Sequence, residues 1–226
     1  MNVGAILLCG GAGGRLGAEV EKPLVPLGGR PLFAWSLEAL ERCAAVQAIV
    51  VVGPPGKLHE MLTTCGVAAV KVVGWVDGGR ERRDSVMAGL KALPREHDLV
   101  VIQDSARALV SPELIGRVVA DAMAAGASTA AIPVEDTLKR GTLQRIDATV
   151  PRAGLWRAQT PQAFRRDWLE EAHAKARGQA TDDAMLLEAA GKPVRITEGD
   201  PLNFKITTPR DLLLAAAWLA CRARFE

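Results

Sequence analysis

The stretch "LLCGGAGGRLG", Leu7 to Gly17, decides how the rest of the chain is read. Two leucines give way to four glycines in five residues, and Arg15 is the first long side chain to return. Just upstream, "VGAILL" (Val3 to Leu8) is a short, continuously apolar run, the pattern of a strand buried on both faces. Glycines directly after such a strand let backbone N–H groups approach a ligand closely and cradle phosphates. The stretch lacks the Gly-Lys-Ser/Thr ending of a P-loop. From Gly11 it reads Gly-Ala-Gly-Gly-Arg-Leu, so it is not the GxGxxG of dinucleotide enzymes. Four glycines exceed what a tight turn needs, and the cations Arg15 and Lys22 follow, so the expected ligand is a polyanion.

Outward from this loop, apolar runs alternate with helical patterns. A helix is predicted from Pro31 through "PLFAWSLEALERC", a strand over Ala48 to Gly53, and a helix around Lys57 to Thr64. A strand over Ala69 to Val73, a helix in "ERRDSVMAGLKAL" and a buried strand over Asp98 to Gln103 come next. Ser111 and Pro112 open a helix that Gly126 stops, and "ASTAAIP" reads as a strand. Such alternation predicts an α/β, Rossmann-like fold with a mainly parallel sheet and helices on both faces. Ligands then sit beyond the carboxyl ends of the strands, near Cys9 to Arg15, Gly74 to Arg83 and Asp104 to Arg107.

The rhythm breaks after Pro133. Alternation around Thr142 to Val150 predicts an inserted two-stranded arm, about residues 136–152, with a turn near Arg140–Gly141. "AQTPQAF" reads as a donor-rich turn. Helices are predicted near Arg166 to Ala176 and from a Thr181 cap to Ala190, with a last one opening at Thr208 and Pro209. Residues 1–226 are therefore read as one domain with an arm.

The chain's 226 residues suffice to bury roughly 70–75% of the unfolded surface. A net charge of +2 argues against a general nucleic-acid binder, and no apolar run reaches the ~18 residues of a membrane span. The N-terminus carries no basic segment before its apolar run, so a cytoplasmic protein is expected. The four cysteines, Cys9, Cys43, Cys65 and Cys221, form no CxxC pair and are expected to be buried, reduced thiols. His59, His97 and His173 fall in polar helical or linker contexts, which argues against a His-centred triad or metal site.

The remaining candidates are cations, glycines and one carboxylate. "DGGRERRDSV" sets Gly79, Arg82 and Ser85 after a predicted strand, where a solvated first helical turn is the plain alternative. "QDSAR" puts Asp104 at the end of an apolar strand, able to orient a metal or a ribose hydroxyl, or to serve as a turn aspartate. "LNFKITTP" sets Lys205 on a predicted strand between Phe204 and Ile206, aimed at a cleft or at solvent. "TDD" fits an acidic N-cap. One reaction suits such a set: a phosphate monoester attacks the α-phosphate of a nucleoside triphosphate and expels pyrophosphate. The attacking oxygen is largely ionised at neutral pH, because its second pKa is about 6, so no general base is required. Arg, Lys and Mg²⁺ would lower the anion–anion barrier.

In order and spacing, "GAGGRL", Lys22, "GGRERRDSV", "DSAR", "EDTLKR", "PRAGLWRAQTPQAF", "TDDAMLLEAAG" and "NFKITTPRDL" resemble the 2-C-methyl-D-erythritol 4-phosphate cytidylyltransferases along nearly the whole chain. The resemblance implies direct in-line cytidylyl transfer from CTP in isoprenoid synthesis, without a covalent enzyme intermediate. It implies that Cys9, Gly10, Gly11, Gly13, Gly79, Arg82 and Ser85 hold the nucleotide. Arg15 and Lys22 would stabilise the transition state, with Arg152 and Lys205 completing the catalytic set. Asp104 and Ser105 would lie near ribose and metal, the Mg²⁺ being held mainly by the triphosphate. Arg107, Thr137, Arg152, Thr160 and Lys205 would gather the acceptor phosphate. It also implies a homodimer in which Thr137 and Arg152 serve the neighbour's site. The chain departs from the usual family motifs at Pro23, Arg80, Gln103, Ser105 and Ala108. Ribitol-5-phosphate cytidylyltransferases are similar in "QTPQ", and a non-catalytic nucleotide-binding regulator is the alternative of another class.

Overall fold

The opening run forms β1 (Asn2–Leu8), buried from Val3 onward. In the computed structural model, residues 1–10, 21–176 and 180–222 are described, so Gly11, Gly13 and Arg15 lie outside the described residues. A 3-10 turn at Lys22–Leu24 leads into a short hairpin of β2 (Pro26–Leu27) and β3 (Arg30–Pro31). Helix α1 (Leu32–Arg42) follows, with Pro31 as its N-cap rather than its first residue. Next come β4 (Ala48–Gly53), α2 (Leu58–Thr64) and β5 (Val72–Asp77). Strand β5 begins three residues later than its apolar pattern predicts. The Glu41 carboxylate accepts from the Lys71 N–H at 3.0 Å, and the Lys71 carbonyl accepts from Ile49 N–H at 2.8 Å, so pairing starts there. Val70, ahead of it, is exposed.

Helix α3 (Arg82–Ala92), β6 (His97–Asp104), α4 (Pro112–Ala125) and β7 (Ala127–Pro133) match the predicted rhythm. Ser111 caps α4 through the Leu114 N–H, and Gly126 ends it at φ +89°, a conformation that suits glycine. The arm is present as β8 (Leu138–Gly141) and β9 (Ile146–Val150), a separate two-stranded sheet. Its turn lies beyond Gly141, closed by a Thr142 N–H to Arg145 carbonyl bond of 2.8 Å, and not at Arg140–Gly141.

The predicted turn "AQTPQAF" belongs instead to a ten-residue strand, β10 (Trp156–Arg165), between β6 and β7 and antiparallel to both. Proline within a run normally argues against an interior strand. Here the register to β7 breaks between Ala158 and Gln162, around the cis Thr160–Pro161 bond, so no ladder bond is demanded of Pro161. Helices α5 (Arg166–Lys175) and α6 (Asp183–Ala189) follow, then β11 (Arg195–Glu198) and α7 (Pro209–Arg222). Asp182, not Thr181, caps α6, accepting from the Met185 N–H at 3.0 Å. Strand β11 carries no apolar run that would mark it in the sequence; only Thr197 in it is buried.

The seven strands of the main sheet run in the order β11-β7-β10-β6-β1-β4-β5, all parallel except β10. Val3, Ala5 and Leu7 of β1 pack with Phe33 and Leu37 of α1 and Ile115 and Val118 of α4. Ile6 and Leu8 pack with Val86 and Leu90 of α3 and with Leu169 of α5. Helices thus cover both faces, as the continuous apolar strands require. Helix α3 lies so close to the sheet that a Cβ on Gly89 would come 2.5 Å from Ile6. A third cluster sets Ala215 of α7 against Leu27, Leu32 and Ile206. From β1 the chain builds outward through β4 and β5, then crosses to β6 on the other side. The β1/β6 boundary is therefore the switch point, where a crevice opens at the carboxyl ends of strands.

Candidate active site

At this switch point the ladder continues one residue past each strand. Cys9 N–H donates to the Val52 carbonyl at 2.8 Å, and Ser105 N–H donates to the Leu8 carbonyl at 2.9 Å. Cys9 and Ser105 are thereby brought together and buried, and exposed Gly10 follows Cys9. Burial, reinforced by the nearby Asp104 charge, pushes the Cys9 thiol up to about 12 despite its hydrogen bond with Ser105. The thiol stays protonated at neutral pH and is not poised as a nucleophile. The other cysteines are free; Cys43 and Cys65 are buried as expected, whereas Cys221 is exposed.

Asp104 ends β6 at the mouth of the crevice. One carboxylate oxygen accepts from Lys205 Nζ at 2.7 Å, and the other lies 3.7 Å from Arg82 Nε. Burial favours the neutral acid, but Lys205 and Arg82, with Arg107 beyond them, outweigh it and hold the carboxyl below the usual carboxylate range. The Asp104 N–H donates to Thr160 Oγ1 at 3.0 Å, which ties β10 to the same corner. Arg107 is fixed by the carbonyls of Asn203 (2.7 Å) and Ala158 (3.2 Å). Lys205 is not on a strand. It is aimed by its neighbours: Ile206 is buried, its N–H bound to the Ala106 carbonyl at 2.8 Å, and Phe204 packs on the same cluster.

Arg82, Asp104, Arg107, Thr160 and Lys205 thus line one cleft of about 190 Å³. The same cleft is lined by Gln159, Gln162, Thr181 and Asp182, which the sequence motifs did not single out for the site. Their signal is present in "QTPQ" and "TDD", but locally both look like turn and cap chemistry. Gly79 and Ser85 sit at the start of α3, where Gly79 N–H donates to Ser85 Oγ at 3.2 Å. A Cβ on Gly79 would overlap Asp84 Cβ at 2.1 Å, so packing alone accounts for this glycine. Lys22 is half-buried at the head of its 3-10 turn. Thr137 and Arg152 are exposed, and neither lines the cleft.

Two histidines are buried despite their polar sequence neighbours. His97 opens β6 buried, its Nδ1 3.1 Å from the Pro94 carbonyl. His173 of α5 is buried against Asp183.

Among the described residues, no group of three or more His, Cys, Asp or Glu side chains is placed to hold a metal. Asp104 is the one carboxylate of the nucleotide-binding candidates that faces the cleft. A metal bound there would therefore draw most of its ligands from a substrate. No helix among the described residues is long and apolar enough to cross a membrane.

The family model for 2-C-methyl-D-erythritol 4-phosphate cytidylyltransferase matches residues 3–221. A curated protein of that name from Prochlorococcus marinus (strain MIT 9313) is 43% identical, over 96% of this chain and 98% of its own length. One from Gloeobacter violaceus is 43% identical, over 95% of this chain and 94% of its own. A crystal structure of the cytidylyltransferase from Thermus thermophilus is similar at a TM-score of 0.81 and 35% identity, covering 97% of this chain and 100% of that one. The chain belongs to the 2-C-methyl-D-erythritol 4-phosphate cytidylyltransferase family.

Proposed function

We propose that the cleft at the ends of β1 and β6 carries out the family's reaction, transfer of a cytidylyl group from CTP to 2-C-methyl-D-erythritol 4-phosphate. The observation that carries this assignment is the Arg82–Asp104–Lys205 cluster, with Arg107 and Thr160 beside it at the switch point. The acceptor phosphate oxygen forms a bond to the α-phosphorus in line with the leaving group. The bond from that phosphorus to its bridging oxygen breaks, and the electron pair leaves with pyrophosphate. The attacking oxygen is already ionised, and the protonated Cys9 thiol takes no covalent part. What the chain supplies is orientation and positive charge. Arg15 and Lys22 stabilise the crowded phosphorus. Cys9, Gly10, Gly11, Gly13, Gly79, Arg82, Ser85 and Ser105 hold the nucleotide, and Arg107, Thr160 and Lys205 the acceptor phosphate. Asp104 is the residue that would face a Mg²⁺ ion held mainly by the triphosphate, and such an ion would supply shielding of the charge on the α-phosphate and the leaving group.

The arm reads as a dimer element. Leu143 and Ile146 are 102% and 63% exposed, with Leu155 and Trp156 exposed at its base. A lone two-stranded ribbon is marginal in water. Laid on a two-fold partner, it would carry Thr137 and Arg152 to that partner's cleft.

Pyrophosphate release tests the reading, with CTP, UTP and ATP assayed against methylerythritol 4-phosphate, ribitol 5-phosphate and sugar phosphates. CTP with methylerythritol 4-phosphate is expected to be fastest, and chelation of divalent metal to stop the reaction. Equal or faster turnover of ribitol 5-phosphate would overturn the acceptor assignment; undiminished turnover after chelation would overturn the metal.

A further inference from the structure

Behind the cleft, a buried charge network reaches from Arg82 into the layer formed by α5 and α6. Arg82 Nη1 donates to Asp183 Oδ2 at 2.5 Å, while Arg82 Nε stands 3.7 Å from Asp104. Asp183 is 1% exposed, and its other oxygen lies 2.9 Å from His173 Nε2. His173 is equally buried. Next door, Arg83 donates to the carbonyls of His173 (2.9 Å) and Ala176 (3.1 Å), locking α3 to the end of α5.

We infer that His173 is a positioning residue for the nucleotide site, holding Asp183 and, through it, the guanidinium of Arg82 at the edge of the cleft. The inference rests on the assignment of Arg82 to the nucleotide. A buried carboxylate is tolerated only when both oxygens are satisfied. Arg82 satisfies one. The other is satisfied by His173 if Nε2 carries the hydrogen, the only arrangement that bonds to a carboxylate. Nδ1 is then left buried, with no hydrogen-bond partner among the described residues. A buried aliphatic side chain at this position would avoid that orphan. Among the described residues, the imidazole's sole polar contact is therefore the carboxylate that anchors Arg82. Without it, Asp183 loses a donor, and Arg82 is free to close the 3.7 Å gap onto Asp104, the carboxylate that Lys205 shares.

The test is a double-mutant cycle read by steady-state kinetics, with thermal unfolding alongside. His173→Leu is expected to raise the KM for CTP about tenfold, with kcat changed less. Arg82→Met should raise it at least as much. In the Arg82→Met background, His173→Leu should add nothing to KM. His173→Gln, which returns an N–H donor toward Asp183, should bring KM back to within about threefold of wild type. A merely structural histidine would lower the unfolding temperature without this coupling or rescue. If His173→Leu fails to fold, His173→Asn, too short to reach Asp183, takes its place in the cycle. An unchanged KM in the His173 variant, or independent effects in the double variant, would overturn the inference while leaving Arg82 at the site. An unchanged KM in Arg82→Met would remove Arg82 from the nucleotide site, and the inference with it.

Discussion

In the cleft, Arg82, Asp104, Arg107 and Lys205 all find partners within their own chain: Asp183, two backbone carbonyls and one another. In the arm, β8 and β9 pair with each other, Lys139 reaches across to Thr149 at 2.7 Å, and Arg145 pairs with Asp147 at 2.8 Å. The outer faces of the arm stay in water, large apolar groups included. The contrast teaches that the cleft is preorganised by a single chain, whereas the apolar groups of the arm are left uncovered among the described residues. Preorganised charge lowers a barrier because no reorganisation is needed at the moment of reaction. An exposed ribbon gains stability only by docking.

The largest effects should come from joining the two regions. Lys205→Met and Arg152→Met are each expected to lower kcat/KM by about 10²–10³-fold, roughly 2.7–4 kcal/mol. Unfolded and refolded together, the two inactive proteins should regain about a quarter of wild-type activity. Random pairing makes about half the dimers mixed, and each mixed dimer has one site with both wild-type residues. Absence of recovery in verified mixed dimers would assign Arg152 to its own chain. Lys22→Met should show a similar loss, mainly in kcat, with CTP affinity little changed; normal turnover with weak CTP binding would make Lys22 a binding residue only.

Smaller effects should separate core from arm. Gly89→Ala forces a Cβ into Ile6 and is expected to cost about 1–3 kcal/mol in urea unfolding. Leu143→Ser should change the stability of the dilute chain by less than about 0.5 kcal/mol, yet raise the dimer dissociation constant in sedimentation. A Leu143→Ser chain that dimerises as tightly as wild type would break the distinction between the two regions.

The smallest expected effect is a pH dependence confined to the cleft. Asp104 titrates lower in the folded chain than its unfolded value of about 3.9. The unfolded chain therefore takes up the proton first as pH falls. The stabilisation is complete above the unfolded value and lost as pH drops through the folded one. Asp104→Asn should flatten this part of the acid limb, measured as unfolding free energy between about pH 5 and pH 2. Parallel curves for the two proteins would show that Lys205 and Arg82 lend Asp104 no net stabilisation.

The alternation of apolar strands and helices in the first 133 residues was legible because local period reports which faces are dry, and β1, β4, β6 and β7 are buried beneath nearby helices. Several caps, Ser111 and Gly126 among them, were legible because their chemistry is local. Arg82, Asp104, Arg107, Thr160 and Lys205 each stand in a motif that can be quoted from the sequence, and the fold brings them to one cleft. Tertiary structure decided the rest. Strand β10 looks like a polar turn until β6 and β7 supply partners on both sides of Pro161. Lys205 is aimed by the burial of Ile206 and its bond to Ala106, not by a strand. The burial of His173 against Asp183 joins residues ten positions apart through the packing of α5 on α6. Local propensity is written in neighbouring residues and can be read from them. The partner of a buried charge or an unpaired strand edge is set by which distant element arrives beside it, and that is settled only when the whole chain packs.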